Sequence, residues 1–149
     1  MIHEATAADA GEIAVVIGEV GAYYGADYAP ADVEQVQEAL FGPRPAATVL
    51  LARQGGQVVG MASYTFLWPA GGASTSLYLK ELFVRDAGRR QGVATALMAR
   101  LREIATRTGC SRVDWTTDRD NASAVAFYQA MGFEPLESKL FYRWGTHAD

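Results

Sequence analysis

The chain has 149 residues, half of them hydrophobic and a fifth charged, which fits one globular domain spanning residues 1–149. Its single cysteine, Cys110, excludes an intramolecular disulfide, and no apolar run reaches the roughly 18 residues that a membrane span needs. The formal net charge of −4 argues against nucleic acid as a partner. The opening MIHEATAADA has no basic stretch typical of a secretion signal, so we expect a cytoplasmic protein.

The charges are distributed unevenly along the chain. Residues 1–43 carry eight acidic side chains and neither lysine nor arginine, whereas residues 85–119 carry eight arginines and four acidic residues. Two interpretations stay open at this point. Both runs are solvated helix faces, or one part of the protein holds a cation while the other holds an anion.

The first half of the chain shows helical and strand patterns in turn. Thr6 to Asp9 form a capping box before a helix with one apolar stripe, and Pro30 begins a second helix that Gly42 and Pro43 end. The segment 54–57, Gln-Gly-Gly-Gln, is typical of a hairpin turn between two strands. The predicted strands of this half are residues 2–5, 47–53 and 58–68.

The second half begins with an apolar strand at residues 77–84, followed by an amphipathic helix at 91–108 that Gly109 caps. The remaining predicted elements are a strand at 112–117, a short helix capped by Asp120 or Asn121 and ended by Gly132, and strands at 133–136 and 140–144. This order predicts an α+β fold in one layered domain. Its mixed, mostly antiparallel sheet would have six to seven strands and about four flanking helices.

The turn at residues 89–95 has the properties of an anion site. It follows an apolar strand and opens a helix, where free amide groups and the helix dipole attract negative charge. Gly92 allows a ligand to approach the backbone closely, and Arg89 and Arg90 can form charge-assisted hydrogen bonds to phosphate oxygens. The segment matches neither the P-loop nor the dinucleotide fingerprint. From the residues alone, a solvated loop of arginines is the alternative.

The order of these motifs resembles the GNAT superfamily of N-acetyltransferases over nearly the whole chain. That family's acetyl-coenzyme A motif, [Q/R]-x-x-G-x-[G/A], is matched by RRQGVA at residues 89–94, after the strand LYLKELFV. Its downstream Asn, Phe-Tyr and Gly-Phe signature is matched by DNASAVAFYQAMGF at residues 120–133, and IHEATAADAGEI is similar to the family's opening strand and helix. The chain looks most like the diamine (spermidine/spermine) N-acetyltransferase-like branch, although Lys80 and Glu81 replace that branch's acidic pair.

The resemblance implies the GNAT fold and acetyl-CoA as cosubstrate, with no metal. The diphosphate would lie on the amides that follow Arg89, the pantetheine arm beside the backbone of Phe83 and Val84, and the thioester end near Asn121 and Ser123. The residues that the resemblance assigns to this cosubstrate are Phe83, Val84, Arg89, Arg90, Gln91, Gly92, Val93, Ala94, Thr95, Asn121, Ser123 and Tyr128.

Two side chains are implied to handle protons during direct transfer from acetyl-CoA to an amine. An alkyl amine is protonated at neutral pH, and Glu81 is the candidate that accepts its proton through water. Strand alternation places Glu81 on one face with Leu79 and Phe83. Tyr128, in the Phe-Tyr position of the family, would donate a proton to the departing thiolate. The alternatives are a strand-end salt bridge for Glu81 and a core position for Tyr128.

The acidic front segment acquires a candidate role as a wall of the acceptor site. Aromatic rings beside carboxylates suit an ammonium group, and Tyr23 lies among such residues. A lysine that faced the acceptor would repel a polycation, so amine acetylation is predicted without polyamine specificity. The predicted acceptor residues are Tyr24, Asp27, Tyr28, Glu34, Lys80 and Glu81.

The leading prediction is an enzyme that acetylates a primary amine of a small molecule, such as a polyamine, an amino sugar or an amino acid. A lysine or N-terminal protein acetyltransferase and a CoA-binding sensor of the same fold are the alternatives. Cys110 has no histidine partner near it in sequence, and His3 and His147 lack zinc-like spacing, so neither a covalent acetyl-enzyme nor a metal site is predicted. By family analogy, a homodimer that exchanges residues 140–144 is expected.

Overall fold

The computed structural model describes residues 1–147 and divides the chain into two compact units, Met1–Thr116 and the part that begins at Thr117. The strands are β1 (Ile2–Glu4), β2 (Thr48–Gln54), β3 (Gln57–Leu67), β4 (Ser76–Val84) and β5 (Arg112–Trp115). The helices are α1 (Ala10–Tyr23), α2 (Val33–Phe41), α3 (Val93–Arg107) and α4 (Ala122–Ala130). All of these elements except α4 belong to the first unit.

The five strands form one sheet in the order β1-β2-β3-β4-β5. Neighbouring strands are antiparallel except for β4 and β5, which are parallel and are joined through α3. The α+β class, the mixed and mostly antiparallel sheet and the four α-helices are therefore confirmed for the described part of the chain. That part contains five strands, however, and not six to seven.

The strands predicted at residues 133–136 and 140–144 are the difference, since residues 132–147 contain only turns and irregular backbone. The amide of Phe133 donates to the carbonyl of Tyr128 at 3.0 Å, so it closes the end of α4 and not a sheet ladder. Pro135 has no amide to give, and Lys139 donates to Leu136 at 3.3 Å in a local turn. Turn bonds thus replace ladder bonds in this segment.

The two N-terminal helices differ from prediction in where they begin. The capping box is confirmed, because the amide of Thr6 donates to Asp9 Oδ2 at 2.8 Å, but a short 3-10 turn precedes α1. Pro30 does not start α2. The helix begins after Asp32, whose side chain accepts from the Gln35 amide at 3.1 Å, and the amide of Ala31 donates to the Ala14 carbonyl of α1 at 3.0 Å.

The sheet of the first unit carries helices on both faces. On one face, Ile13 and Val16 of α1 pack with Leu51 of β2 and Met61 of β3. On the other face, α3 approaches so closely that a Cβ on Gly60 would lie 2.7 Å from Val93 Cγ1. Val36 of α2 belongs to the same cluster as Ile13, so we call that side of the sheet the α1/α2 face and the other side the α3 face. The pairing register then shows on which face each strand residue lies.

Candidate active site

The loop between β4 and α3 holds two residues in the left-handed region. Arg90 has φ 61° and Gly92 has φ 74°, and Gly92 is the N-cap of α3. An L-residue in this conformation costs about 1–2 kcal/mol, and such strain concentrates at functional sites. Left-handed residues in such a loop allow successive backbone amides to point toward one side, which is the arrangement that binds anions.

The start of α3 fits a phosphate group. The first hydrogen bond within the helix runs from the Ala96 amide to the Gly92 carbonyl at 2.9 Å, so the amides from Gly92 to Thr95 have no acceptor within the helix. A Cβ placed on Gly92 would meet nothing within 4 Å, which shows that the space beside this backbone is open. Gln91 holds the loop, because its Nε2 donates to the carbonyl of Ala87 at 3.0 Å.

The two arginines of the loop differ in their surroundings. Arg89 Nε lies 3.3 Å from Asp86 Oδ1, and both side chains are exposed, so this pair exchanges readily for another anion. Arg90 forms no ion pair within the described residues of the first unit. The structure thus brings together the predicted residues from Arg90 to Thr95 at one helix start, with Arg89 beside them.

The sheet opens on the side of β4 that leads into this loop. The parallel strand β5 pairs only with Ser76–Leu79 of β4 and ends there, at the pair Leu79–Trp115. Within the described residues of the first unit, β5 therefore does not extend along β4 as far as Phe83 and Val84. Such an edge offers amide and carbonyl groups to an extended ligand. Phe83 and Val84, the predicted pantetheine contacts, lie on it.

Glu81 does not share a face with Leu79, and that part of the prediction is wrong. Glu81 pairs with Ser63, whereas Leu79 pairs with Tyr64, so Lys80 is an extra residue in a β-bulge. Because neighbours on β3 point to opposite faces, Glu81 lies with Phe83 on the α1/α2 face and Leu79 lies on the α3 face.

The predicted acceptor segment, which we define as residues 23–34, begins on the face of the sheet that carries Glu81. The ring of Tyr23 contacts that of Phe83 edge-on, with centroids 6.1 Å apart, and that of Tyr24 at 5.1 Å. The chain then folds back over α1, where a Cβ on Gly18 would lie 2.5 Å from the Ala29 carbonyl oxygen and 2.9 Å from Tyr28. The predicted residues Tyr24, Tyr28, Asp27 and Glu34 are all exposed.

Some of the acidic residues in the front segment have structural partners instead. Arg53 Nη2 lies 2.9 Å from Asp9 and 2.8 Å from Glu12, and these carboxylates raise the pKa of Arg53 above its usual value. Arg85 Nε lies 2.9 Å from Glu19. The charge asymmetry therefore combines ion pairs that hold α1 to the sheet with the exposed carboxylates of the acceptor segment.

The second unit contains the remaining predicted residues. Asn121 is the N-cap of α4, and its side-chain oxygen accepts from the Ala124 amide and the Ser123 hydroxyl, both at 3.2 Å. Tyr128 is half-buried on α4, with its ring 5.2 Å from that of Phe127. The capping role of Asn121 is observed, while the cofactor roles of these residues stay predictions.

Three features of the first unit were missed by sequence reasoning. The bulge at Lys80 carries no glycine or proline that would mark it. Ser63, across from Glu81, follows from the register alone. Sequence reasoning placed Tyr23 among the acceptor residues but missed its contact with Phe83. Within residues 1–147, no helix is long and apolar enough to cross a membrane. The same residues contain no group of His, Cys, Asp and Glu side chains arranged to hold a metal ion.

Comparison with known proteins supports the resemblance to the GNAT family. The family model described as "Acetyltransferase (GNAT) family" matches residues 17–133. A thialysine N-ε-acetyltransferase of Mus musculus is 29% identical, covering 99% of this chain and 93% of the relative. An aminoglycoside N(6′)-acetyltransferase of Salmonella typhimurium is 34% identical over 71 residues, which are 48% of this chain and 49% of that protein.

Solved structures agree in fold. An integron cassette protein of V. cholerae superposes with a TM-score of 0.85 at 28% identity, covering 97% of this chain and 91% of the other. An aminoglycoside N-acetyltransferase in complex with CoA has a TM-score of 0.77 at 22% identity, over 97% and 93% of the two chains, and this likeness shows the fold alone. The GNAT fold and the resemblance to the diamine N-acetyltransferase-like branch are thereby confirmed. The chain therefore belongs to the acetyltransferase (GNAT) family, whose members use acetyl-CoA, and is an N-acetyltransferase.

Proposed function

We propose that this protein transfers an acetyl group from acetyl-CoA to a primary amine of a small molecule, directly and in a ternary complex. The observation that carries the proposal is the continuity of two features of one unit. The edge of β4 at Phe83 and Val84, beyond its pairing with β5, leads into the loop whose left-handed residues, Arg90 and Gly92, precede α3. An extended arm and a diphosphate fit such a surface in that order.

The chain's own residues divide the work of the reaction. Acetyl-CoA supplies an activated thioester. The amides from Arg90 to Thr95 hold its phosphates, and the backbone of Phe83 and Val84 orients its arm. Glu81 accepts the proton of the acceptor's ammonium group through water. This step is needed because alkyl amines have a pKa of about 10.4 and are protonated at neutral pH. Tyr128 donates a proton to the departing sulfur, and Asn121 and Ser123 support the thioester end.

The small-molecule assignment is supported by the relatives and by the acceptor segment. Relatives of this chain are named for thialysine, for aminoglycosides and for L-ornithine, all of which are small amines. Exposed tyrosines and the carboxylates of Asp27 and Glu34 beside α1 suit an ammonium group. The proposal treats the chain as one catalytic domain, working in the cytoplasm as a homodimer.

The test is acetyl-CoA-dependent release of free CoA across a panel of diamines, diamino acids, aminoglycosides and lysine peptides. We expect turnover on at least one small amine. Turnover on peptides alone would favour a protein acetyltransferase, and CoA binding without any turnover would favour a sensor. Salt-dependent DNA binding without CoA affinity would contradict the whole proposal.

Two tyrosines of the second unit test the proton donor. Tyr128→Phe should lower kcat by at least tenfold, because general acid catalysis typically contributes 10²–10⁴-fold. Tyr142→Phe is the matched control, since Tyr142 is exposed and is not one of the predicted site residues. Equal activity of the two variants would remove Tyr128 from the mechanism.

Size-exclusion chromatography with light scattering tests the proposed homodimer.

A further inference from the structure

Lys80 occupies a special place in the first unit. It is the first residue of β4 beyond the pairing with β5, and it is the extra residue of the bulge between the Glu81–Ser63 and Leu79–Tyr64 pairs. A bulged residue is left out of the ladder, and bulges next to active sites re-aim side chains. Lys80 therefore lies where the pairing of β4 with β5 ends, next in sequence to Glu81, the proposed proton acceptor.

The charge of Lys80 is not neutralised by its surroundings. Its side chain is exposed, and within the described residues of the first unit it has no ion-pair partner. The other cation that follows this edge of β4, Arg85, is neutralised by Glu19 at 2.9 Å. Lys80 is thus the cation of this edge that remains available to a ligand.

A positive charge at this point does not suit an acceptor that is a pure polycation. The predicted acceptor residues include the exposed carboxylates of Asp27 and Glu34, which suit ammonium groups, whereas Lys80 would repel a second ammonium group. An acceptor that carries an ammonium group and a carboxylate together complements both sets of charges. Lysine suits this role because its flexible stem carries a compact, strongly hydrated charge that moves to meet an anion.

We infer that Lys80 binds a carboxylate of the acceptor, so that the acceptor is a diamino acid and not a simple diamine. This inference rests on the proposed amine acetylation and adds the class of acceptor and the residue that selects it. The side-chain amine of the acceptor is the acetylated group. The acceptor is oriented by two contacts: Lys80 binds its carboxylate, and the carboxylates of the acceptor segment bind its second ammonium group.

Matched amines that differ only in the carboxylate test the inference. Lysine is compared with cadaverine, and ornithine with putrescine, by kcat/KM in the CoA-release assay. The wild-type protein should prefer the amino acid of each pair by about tenfold, the size of one charge-assisted contact. The preference should weaken as salt rises, because the contact is exposed.

Variants of Lys80 separate recognition from catalysis. Lys80→Met should abolish the preference, because kcat/KM falls for the amino acids and rises for the diamines, whose second ammonium group is no longer repelled. Lys80→Glu should reverse the preference. Lys139→Met is the matched control, since Lys139 is the other lysine of the chain, is exposed and lies in a turn of the second unit. Thermal unfolding verifies that each variant is folded.

The outcomes decide the inference separately from the proposed function. Equal kcat/KM values for both members of each pair overturn the inference while amine acetylation stands. An equal loss on both members in Lys80→Met also overturns it, because the lysine then serves a step that all acceptors share. If no amine is acetylated, the proposed function fails, and titration of the same pairs into the protein with CoA decides the inference. Equal binding within each pair overturns it.

Discussion

Ser63 on β3 lies directly across the ladder from Glu81 on β4, although the next pair along the two strands joins Tyr64 to Leu79. This one-residue shift turns Glu81 toward the α1/α2 face, where Phe83 and the ring of Tyr23 lie. Glu81, which is proposed to take the proton, therefore lies on the same face of the sheet as the segment that is proposed to bind the amine.

Glu81→Gln should lower kcat/KM for the amine about a hundredfold at neutral pH, within the usual range for general base catalysis. The loss should shrink as pH rises toward the pKa of the acceptor amine, because the amine then arrives already deprotonated. Steady-state kinetics from pH 7 to pH 10 measure this. Glu137→Gln, on an exposed turn of the second unit, is the charge-matched control. A pH-independent loss in Glu81→Gln would contradict the assigned role.

Gly18→Ala should displace the acceptor segment. The new Cβ would lie 2.5 Å from the Ala29 carbonyl oxygen, a contact that backbone cannot relieve without moving. We expect a raised KM for the amine, an unchanged affinity for CoA and a lower free energy of unfolding. Gly11→Ala on the same helix is the control, because its Cβ meets nothing within 4 Å.

The control should itself gain stability of about 0.5–1 kcal/mol, the helix preference of alanine over glycine. Urea denaturation and amine titration compare the two variants. If Gly18→Ala left the amine KM unchanged, the segment that contains Tyr28 and Asp27 would not form the acceptor site.

Tyr64 should make the fold sensitive to alkaline pH. Its side chain is only 7% exposed, and burial raises the pKa of its phenol above 10.0, with a further contribution from Glu4. The hydrogen bond from Thr48 acts in the opposite direction. Because the folded-state pKa of Tyr64 is the higher one, its contribution is complete below pH 10 and is lost as pH rises through that pKa.

Urea denaturation at pH values from 8 to 11.5 checks this dependence. The free energy of unfolding should fall above pH 10 more steeply in the wild-type protein than in Tyr64→Phe. Tyr142→Phe should keep the wild-type slope, because Tyr142 is 83% exposed. The same slope in all three proteins would contradict a buried, neutral Tyr64.

The sequence predicted the donor side of the site well because its signals are local. An apolar strand, a glycine and an alanine-rich helix follow one another within residues 77–108, and the structure places β4, Gly92 and α3 there. Hairpin and capping-box signals are local in the same way, and both turns formed as predicted.

The rest depends on partners that are distant in sequence. The bulge at Lys80 exists only in the pairing of β4 with β3, so simple alternation gave the wrong face for Leu79. Sequence reasoning missed that α2 begins after Asp32, because the partner of the Ala31 amide is the distant Ala14 carbonyl of α1. An apolar pattern at residues 140–144 predicted a strand, yet a strand needs a neighbour to form ladder bonds.

The central claim is that the left-handed loop at the start of α3 holds the phosphates of coenzyme A, and Gly92→Ala tests it most directly. Gly92 has φ 74° and Gly109, at the other end of α3, has φ 78°, with open space beside both. Alanine at either position should therefore cost about 1–2 kcal/mol of folding stability.

The decisive measurement is calorimetric titration of CoA into the wild-type protein, Gly92→Ala and Gly109→Ala. We predict that Gly92→Ala weakens CoA binding at least tenfold, because its Cβ enters the space of the phosphates and its strain disturbs the amides, while Gly109→Ala binds like the wild type. Equal affinities of the two variants for CoA would contradict the account.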